Sequence, residues 1–308
     1  MQLQAAPPLV NLSELAEIEL FILKRMQEFT LGDHSSVYMG AGFNFSGLRD
    51  WEPGDSPSSI EWAQSSLTNF SPIIVRQFEQ DTNAGIIVVA DASRSTRCGM
   101  EGTPILAVVA RSLATFGMSA VLFQDRFGLI TFDDQFRQLA AARPRVGKAH
   151  VIHCLEMYQA EPGELDDTGG DGASITKSIA GPLRRASLVP VISDFLFADA
   201  PRVISELSLL NAAHDVFLVM VDARYAFEHP DVSAGWIEVR DVETGDTRVL
   251  SRREYARMAE RVADWQDHVF RLARGAGLDI AKIGLDRWEM ERSLVQFVAA
   301  RRLRRVKI

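Results

Sequence analysis

Apolar and polar positions along this chain change texture three times. Between Gly85 and Asp222, short runs of branched and aromatic residues (Ile86–Val89, Phe127–Phe132, Leu188–Ser193, Val216–Val221) alternate with longer segments of helical spacing. A continuous apolar run bounded by glycine and a polar cluster is the pattern of a strand buried on both faces. The segments between them predict helices from Thr103-Pro104 through Val108, Val109 and Leu113, over Val146–Tyr158, over Ile175–Arg185 despite Pro182, and over Val203–Ala213. Thr103-Pro104 supplies a capping hydroxyl followed by a proline in the first turn. Asp166–Ser174 reads as a polar, glycine-rich loop. Strand and helix in alternation predict an α/β fold, a doubly wound, mostly parallel sheet with right-handed crossovers and helices on both faces.

The flanks differ. Residues 1–10 bear prolines, and Leu15, Ile18, Phe21, Ile22 and Met26 after Ser13 predict an amphipathic helix that ends before Gly32. From 31 to 78 glycines and aromatics dominate and predict an N-terminal arm of irregular strands and turns, with Pro53-Gly54 at a type II turn. Arg49, Asp50, Glu52, Asp55 and Glu61 crowd Trp51 and Trp62, which predicts a structural ion-pair network there. A C-terminal α+β extension follows residue 225: a hairpin of 236–239 and 247–250, then a capping box at Ser251-Arg-Arg-Glu254. Tyr255, Met258, Val262, Trp265, Val269 and Leu272 then form one helical stripe, with Gly275 closing the helix. A strand near Ile280–Ile283 and a helix from about Trp288 complete the chain, whose basic end (Arg301, Arg302, Arg304, Arg305, Lys307) reads as a solvated helix terminus. The expected division is therefore 1–80, 81–225 and 226–308.

Composition narrows the function classes. The 308 residues can bury a sizeable core, and 33 Lys+Arg against 41 Asp+Glu give a net charge of -8, which argues against nucleic acid as the main partner. Two cysteines, Cys98 and Cys154, lack disulfide-framework or CxxC spacing, so a reducing cytoplasm is expected. No run of apolar residues approaches the roughly 20 needed to span a bilayer.

The chemistry concentrates at Asp91-Ala92-Ser93-Arg94-Ser95, directly after the first buried strand, where ligands collect in open α/β sheets. Asp194 closes a second strand on the same expected edge. Carboxylates and hydroxyls are hard ligands that suit Mg²⁺ or Mn²⁺ rather than zinc or copper. No phosphate loop and no nucleophile elbow is present. His150, His153 and Cys154 share a helical face but lack a fourth ligand of recognisable spacing. An aspartate-based, Mg²⁺-dependent phosphohydrolase using Asp91 is the alternative reading. Such enzymes need a second carboxylate two residues on, where this chain has Ser93.

The D-x-S-x-S pattern at 91–95 together with Asp194 resembles the metal-ion-dependent adhesion site of von Willebrand factor A domains. More closely, GLRDWEPGDSPSSIEW at 47–62, VRQFEQD at 75–81, VVADASRS at 88–95, VISDF at 191–195 and HDVFLVMVD at 214–222 resemble the bacterial domain-of-unknown-function 58 family. The resemblance implies a von Willebrand factor A-like fold in which Ser93 and Ser95 hold Mg²⁺ or Mn²⁺ through their hydroxyls and Asp91 and Asp194 act through bound water. It also implies a loop residue, Ser174 with Thr168 and Thr176 as alternatives. The chain departs from the family pattern at Trp51, Ser59, Glu61 and Leu67. For function it implies a non-enzymatic adaptor working with a MoxR-type AAA+ ATPase in chaperone-like maturation, or metal insertion, of a client protein.

Overall fold

The computed structural model describes residues 9–31, 43–53, 60–80, 85–100, 103–133, 136–160, 179, 187–227, 236–240, 246–284 and 286–305. The chain packs as two units, Lys24–Asn83 and the remainder, Met1–Leu23 with Ala84–Ile308. This grouping cuts across the expected division: the first helical turns and the C-terminal segment belong with the sheet.

In the smaller unit, β1 (Phe43–Asp50) pairs antiparallel with β2 (Ile74–Gln80), with a bulge between Phe45 and Gly47. A short helix α2 (Trp62–Leu67) is tied to β2 by buried Ser65, whose Oγ accepts the Ile74 N–H at 2.8 Å. Trp51 and Trp62, around which the charged network is expected, are exposed, as are Asp50 and Glu52. Asp55 lies outside the described residues.

The larger unit begins with α1 (Leu12–Leu31), whose first twelve residues belong to it and which buries Leu15, Ile18 and Ile22. Its sheet is built from β3 (Gly85–Asp91), β6 (Arg126–Phe132), β7 (Gln138–Arg145), β8 (Ser187–Ser193), β9 (Asp215–Val221) and β12 (Asp279–Ile283). A two-residue pair, β4 (Gly99–Met100) with β5 (Thr103–Pro104), follows the first of these strands. The sheet order is β12-β9-β8-β3-β6-β7, parallel except for β7. The four apolar runs thus became four central strands, each buried along nearly its whole length. Strand β7 has no expectation behind it. It is an edge strand of alanine, arginine and proline with alternating half-burial, and so carries none of the branched apolar signal of its neighbours. The expected strand at 280–283 is β12, and it joins this sheet beside β9.

Helices α3 (Ile105–Leu122), α4 (Lys148–Gln159), α5 (Ala200–Leu210), α6 (Arg252–Gly275) and α7 (Arg287–Arg305) pack around the sheet. The expected segments account for all five, while the segment expected to be helical at 175–185 lies outside the described residues apart from buried Ile179. α3 starts one residue later than expected, with Pro104 at its cap in extended conformation and no capping hydroxyl bond. It is long and apolar enough to cross a membrane by length and composition, yet most of it is buried within this unit. Its hydroxyls at Ser112, Thr115 and Ser119 each bond the carbonyl four residues back, at 2.8–2.9 Å, so a polar group sits in the core without a lost hydrogen bond. Gly117 permits its close crossing with α4, because a Cβ there would meet Val151 Cγ1 at 2.5 Å.

On the other face, α5 and α6 cover a core of Ile87, Val89, Val191, Leu218, Val203, Ile204, Val269 and Ala273. The Ser251 capping box of α6 forms as expected, with the Glu254 N–H donating to Ser251 Oγ and the Ser251 N–H donating to Glu254 Oε2. Its far end is a Schellman turn, with Leu278 N–H on Ala273 O and Gly277 N–H on Arg274 O. The residue with positive φ is Gly277, at 76°, rather than Gly275, which is the last helical residue. Between α5 and α6, β10 (Trp236–Arg240) and β11 (Thr247–Ser251) form the expected hairpin.

Candidate functional site

The first crossover, through α3, carries the chain from β3 to β6 on one side, and β8 then returns to the other side of β3. The sheet order therefore reverses between β3 and β8, and the crevice outside their carboxyl ends is where such sheets bind ligands. Asp91 ends β3 and Asp194 directly follows β8.

Four adjacent strands of this edge end in or are directly followed by aspartate, at 91, 133, 194 and 222, and these divide cleanly. Asp133 is paired with Arg137 at 2.7 Å. Asp222 is bonded by Arg224 Nε at 2.9 Å and faces Lys282 at 3.6 Å. Partial burial pushes the Asp222 carboxyl up, but the Arg224 bonds and the Lys282 charge hold it below its usual value. Asp91 and Asp194, at the switch point, are 0% and 1% exposed and have no ion-pair partner among the described residues.

The two buried carboxylates are not equivalent. Asp91 Oδ1 accepts the Ser93 N–H at 2.9 Å and Oδ2 accepts the Ser193 hydroxyl at 2.5 Å. Asp194 Oδ1 accepts the Leu196 N–H at 3.0 Å, while its Oδ2 is buried with no hydrogen-bond partner. Burial raises both carboxyls. Asp194 is pushed up to about 7 by burial and then by the Asp91 charge.

Ser93 caps a 3-10 turn, Arg94–Arg97, in extended conformation. The turn brings Ser93 Oγ to 2.9 Å from Ser95 Oγ, and Thr96 Oγ1 braces it on Ser93 O at 2.6 Å. Of the site residues expected from the sequence, Asp91, Ser93, Ser95 and Asp194 are therefore carried by the ends of two adjacent strands. Ser174, Thr168 and Thr176 lie outside the described residues.

The donors fit a hard divalent cation: oxygen only, two carboxylates with no Lys or Arg partner among the described residues, a paired hydroxyl set, and one orphaned buried carboxylate oxygen. Among the described residues no group of three or more His, Cys, Asp and Glu side chains is placed to hold a metal. This includes the His150–His153–Cys154 face. There His150 Nε2 lies 3.7 Å from Cys154 Sγ, and burial raises that thiol to about 12, so it stays protonated and is a poor ligand.

Comparison with known proteins places these residues in a family. The model of the family described as "Protein of unknown function DUF58" matches residues 47–267. The chain belongs to this family. Relatives of the member described here include the uncharacterized proteins Rv1480 of Mycobacterium tuberculosis and Mb1516 of Mycobacterium bovis. Each is 27% identical over 299 residues, covering 94% of this chain and 89% of the relative. Among solved structures it is similar to BatB from Bacteroides thetaiotaomicron, at 14% identity and a TM-score of 0.40 over 70% of this chain and 98% of that one. An aerotolerance-related membrane protein from Bacteroides fragilis gives 14% identity and 0.39, over 69% and 97%.

Sequence reasoning missed the residues that support the site in this DUF58 protein. Ser193 donates to Asp91 and accepts the Phe195 N–H at 2.8 Å, linking the two strand ends. Its signal was a hydroxyl closing an otherwise apolar run, next to an aspartate. Tyr158, on α4, donates to the Asp91 carbonyl at 2.6 Å. Burial, then the charges of Asp91 and Asp194, keeps its phenol far above the usual value and so a neutral donor. Trp265 and Gln266 reach the second strand end from α6, as described below. Nothing local in the sequence ties residues 70 positions apart.

Proposed function

We propose that this chain is a non-enzymatic, divalent-metal-dependent protein-interaction adaptor with a von Willebrand factor A-like site. Ser93, Ser95, Asp91 and Asp194 would hold Mg²⁺ or Mn²⁺. The observation that carries the reading is the contrast along one sheet edge: two strand-end aspartates have arginine or lysine partners, and the two at the switch point have none among the described residues. A bound divalent cation would neutralise that buried pair and leave a coordination position for a carboxylate from outside. The chain's own residues fix the donors: Ser193 and the Ser93 N–H orient Asp91, the Arg94–Arg97 turn sets the hydroxyls, and the Leu196 N–H turns Asp194 so that one oxygen remains unpaired.

The family resemblance supplies the proposed partner, a MoxR-type AAA+ ATPase acting on a client protein, and the cysteine usage supports a cytoplasmic setting. Phosphoryl transfer from Asp91 is disfavoured by the same geometry. Both Asp91 oxygens accept hydrogen bonds, the group is fully buried, and the residue two positions on is a hydroxyl whose Oγ is bonded to Ser95. Purified protein is expected to bind Mn²⁺ and to show no sustained hydrolysis of an aryl phosphate in Mg²⁺. Turnover abolished by Asp91→Asn would overturn the proposal in favour of a phosphohydrolase.

A further inference from the structure

The turn that carries Asp194 is bent against its own backbone preference and is held by two side chains of α6. Phe195 has a φ of 56°, a region bulky residues seldom occupy without support from the surrounding structure, and its ring is fully buried. The amides of the turn are satisfied locally, Phe195 N–H by Ser193 Oγ and Leu196 N–H by Asp194 Oδ1. Its carbonyls are taken from α6: Gln266 Nε2 donates to Asp194 O at 2.9 Å and Trp265 Nε1 donates to Phe195 O at 2.8 Å.

Gln266 does more than close one bond. The same Nε2 donates to Val221 O at 2.8 Å, and Oε1 accepts the Ala223 N–H at 3.3 Å. One amide with no exposure thus ties the end of β8 to the end of β9, using both N–H groups and the carbonyl. A buried amide beside the core residues Val269 and Ala273 is costly unless every polar atom is paired, and here every one is paired to a strand-end backbone.

We propose that Trp265 and Gln266 are positioning residues for the Asp194 carboxylate. They hold the strained turn in the single conformation that leaves its Oδ2 buried and unpaired, and so make cation affinity depend on the C-terminal helix. The inference rests on the reading of Asp91 and Asp194 as a divalent-cation site. Without the two donors, Phe195 is free to return to negative φ, and the carboxylate turns with it.

The test is Mn²⁺ affinity of the full chain, followed by the electron paramagnetic resonance signal of free Mn²⁺, alongside the melting temperature of the metal-free protein. Gln266→Leu keeps the volume and removes the amide; Trp265→Phe keeps an aromatic ring and removes the N–H. Val269→Ala, on the same buried face, is the control for destabilisation alone. Gln266→Leu is expected to weaken Mn²⁺ about 10-fold or more, the usual loss when a group supporting a ligand is removed. Trp265→Phe is expected to weaken it several-fold, and Val269→Ala to lower the melting temperature with affinity unchanged. Wild-type affinity in both Trp265→Phe and Gln266→Leu, or equal weakening in Val269→Ala, would overturn the inference and leave the metal site standing. Failure of the wild type to bind Mn²⁺ would overturn the proposed function and this inference with it. Should Gln266→Leu not fold, Trp265→Phe decides.

Discussion

Replacing Asp194 by asparagine is expected to stabilise the metal-free protein at pH 8 and to abolish its stabilisation by Mg²⁺. Burial, then the Asp91 charge, raises the Asp194 carboxyl from 3.8 to about 7, so the folded chain holds a proton that the unfolded chain has already released. For a carboxyl raised on folding, the favourable contribution is complete below the unfolded value near pH 4 and is lost as pH rises through about 7. At pH 8 an ionised oxygen is then buried without a partner. A shift of this size corresponds to roughly 4 kcal/mol between the two protonation states. Asparagine is expected to recover about 1–3 kcal/mol of it, since its own amide needs partners in the same place. Urea unfolding at pH 5 and pH 8 measures this directly, with the advantage of Asp194→Asn over wild type expected to grow between the two. An advantage independent of pH would contradict the assignment of that charge as buried and unpaired.

Asp91→Ala is expected to act in the opposite direction, although both residues are buried acids on neighbouring strands. Asp91 accepts the Ser93 N–H and the Ser193 hydroxyl, and alanine leaves both of these buried donors without an acceptor. Two unsatisfied buried donors are worth about 2–4 kcal/mol of destabilisation. The loss should be clearest at pH 5, because the wild type then carries less of the cost of a buried charge. Unfolding free energies equal to wild type at pH 5 would mean that Ser193 and Ser93 find other acceptors, and that Asp91 is not the anchor of the site.

Much of the sheet was legible because its signal is dense. Ile86–Val89, Phe127–Phe132, Leu188–Ser193 and Val216–Val221 are apolar runs that only a strand covered on both faces requires, and each became one. Strand β7 was illegible for the converse reason: at the edge, Gln138–Arg145 needs little apolar character, and its pairing with β6 is fixed by backbone bonds. The exposed Trp51 and Trp62 show the limit of composition. Aromatics among charges in sequence say nothing of which face they take. At the site, Asp91, Ser93 and Ser95 could be read from five adjacent residues, and Asp194 from a strand end. Ser193, Tyr158, Trp265 and Gln266 could not, because their roles exist only once helices and strands distant in sequence are packed together.

The proposed metal-dependent docking site is tested by retention of a MoxR-type AAA+ ATPase from the same genome on the immobilised full chain. Three samples suffice: wild type in Mg²⁺, wild type in Mg²⁺ with excess EDTA, and the Asp91→Ala, Ser93→Ala double variant in Mg²⁺. Retention by the first alone is expected, with loss of at least about 100-fold in the others, because a cation bridging to a carboxylate of the partner would be removed. Equal retention in all three would contradict it.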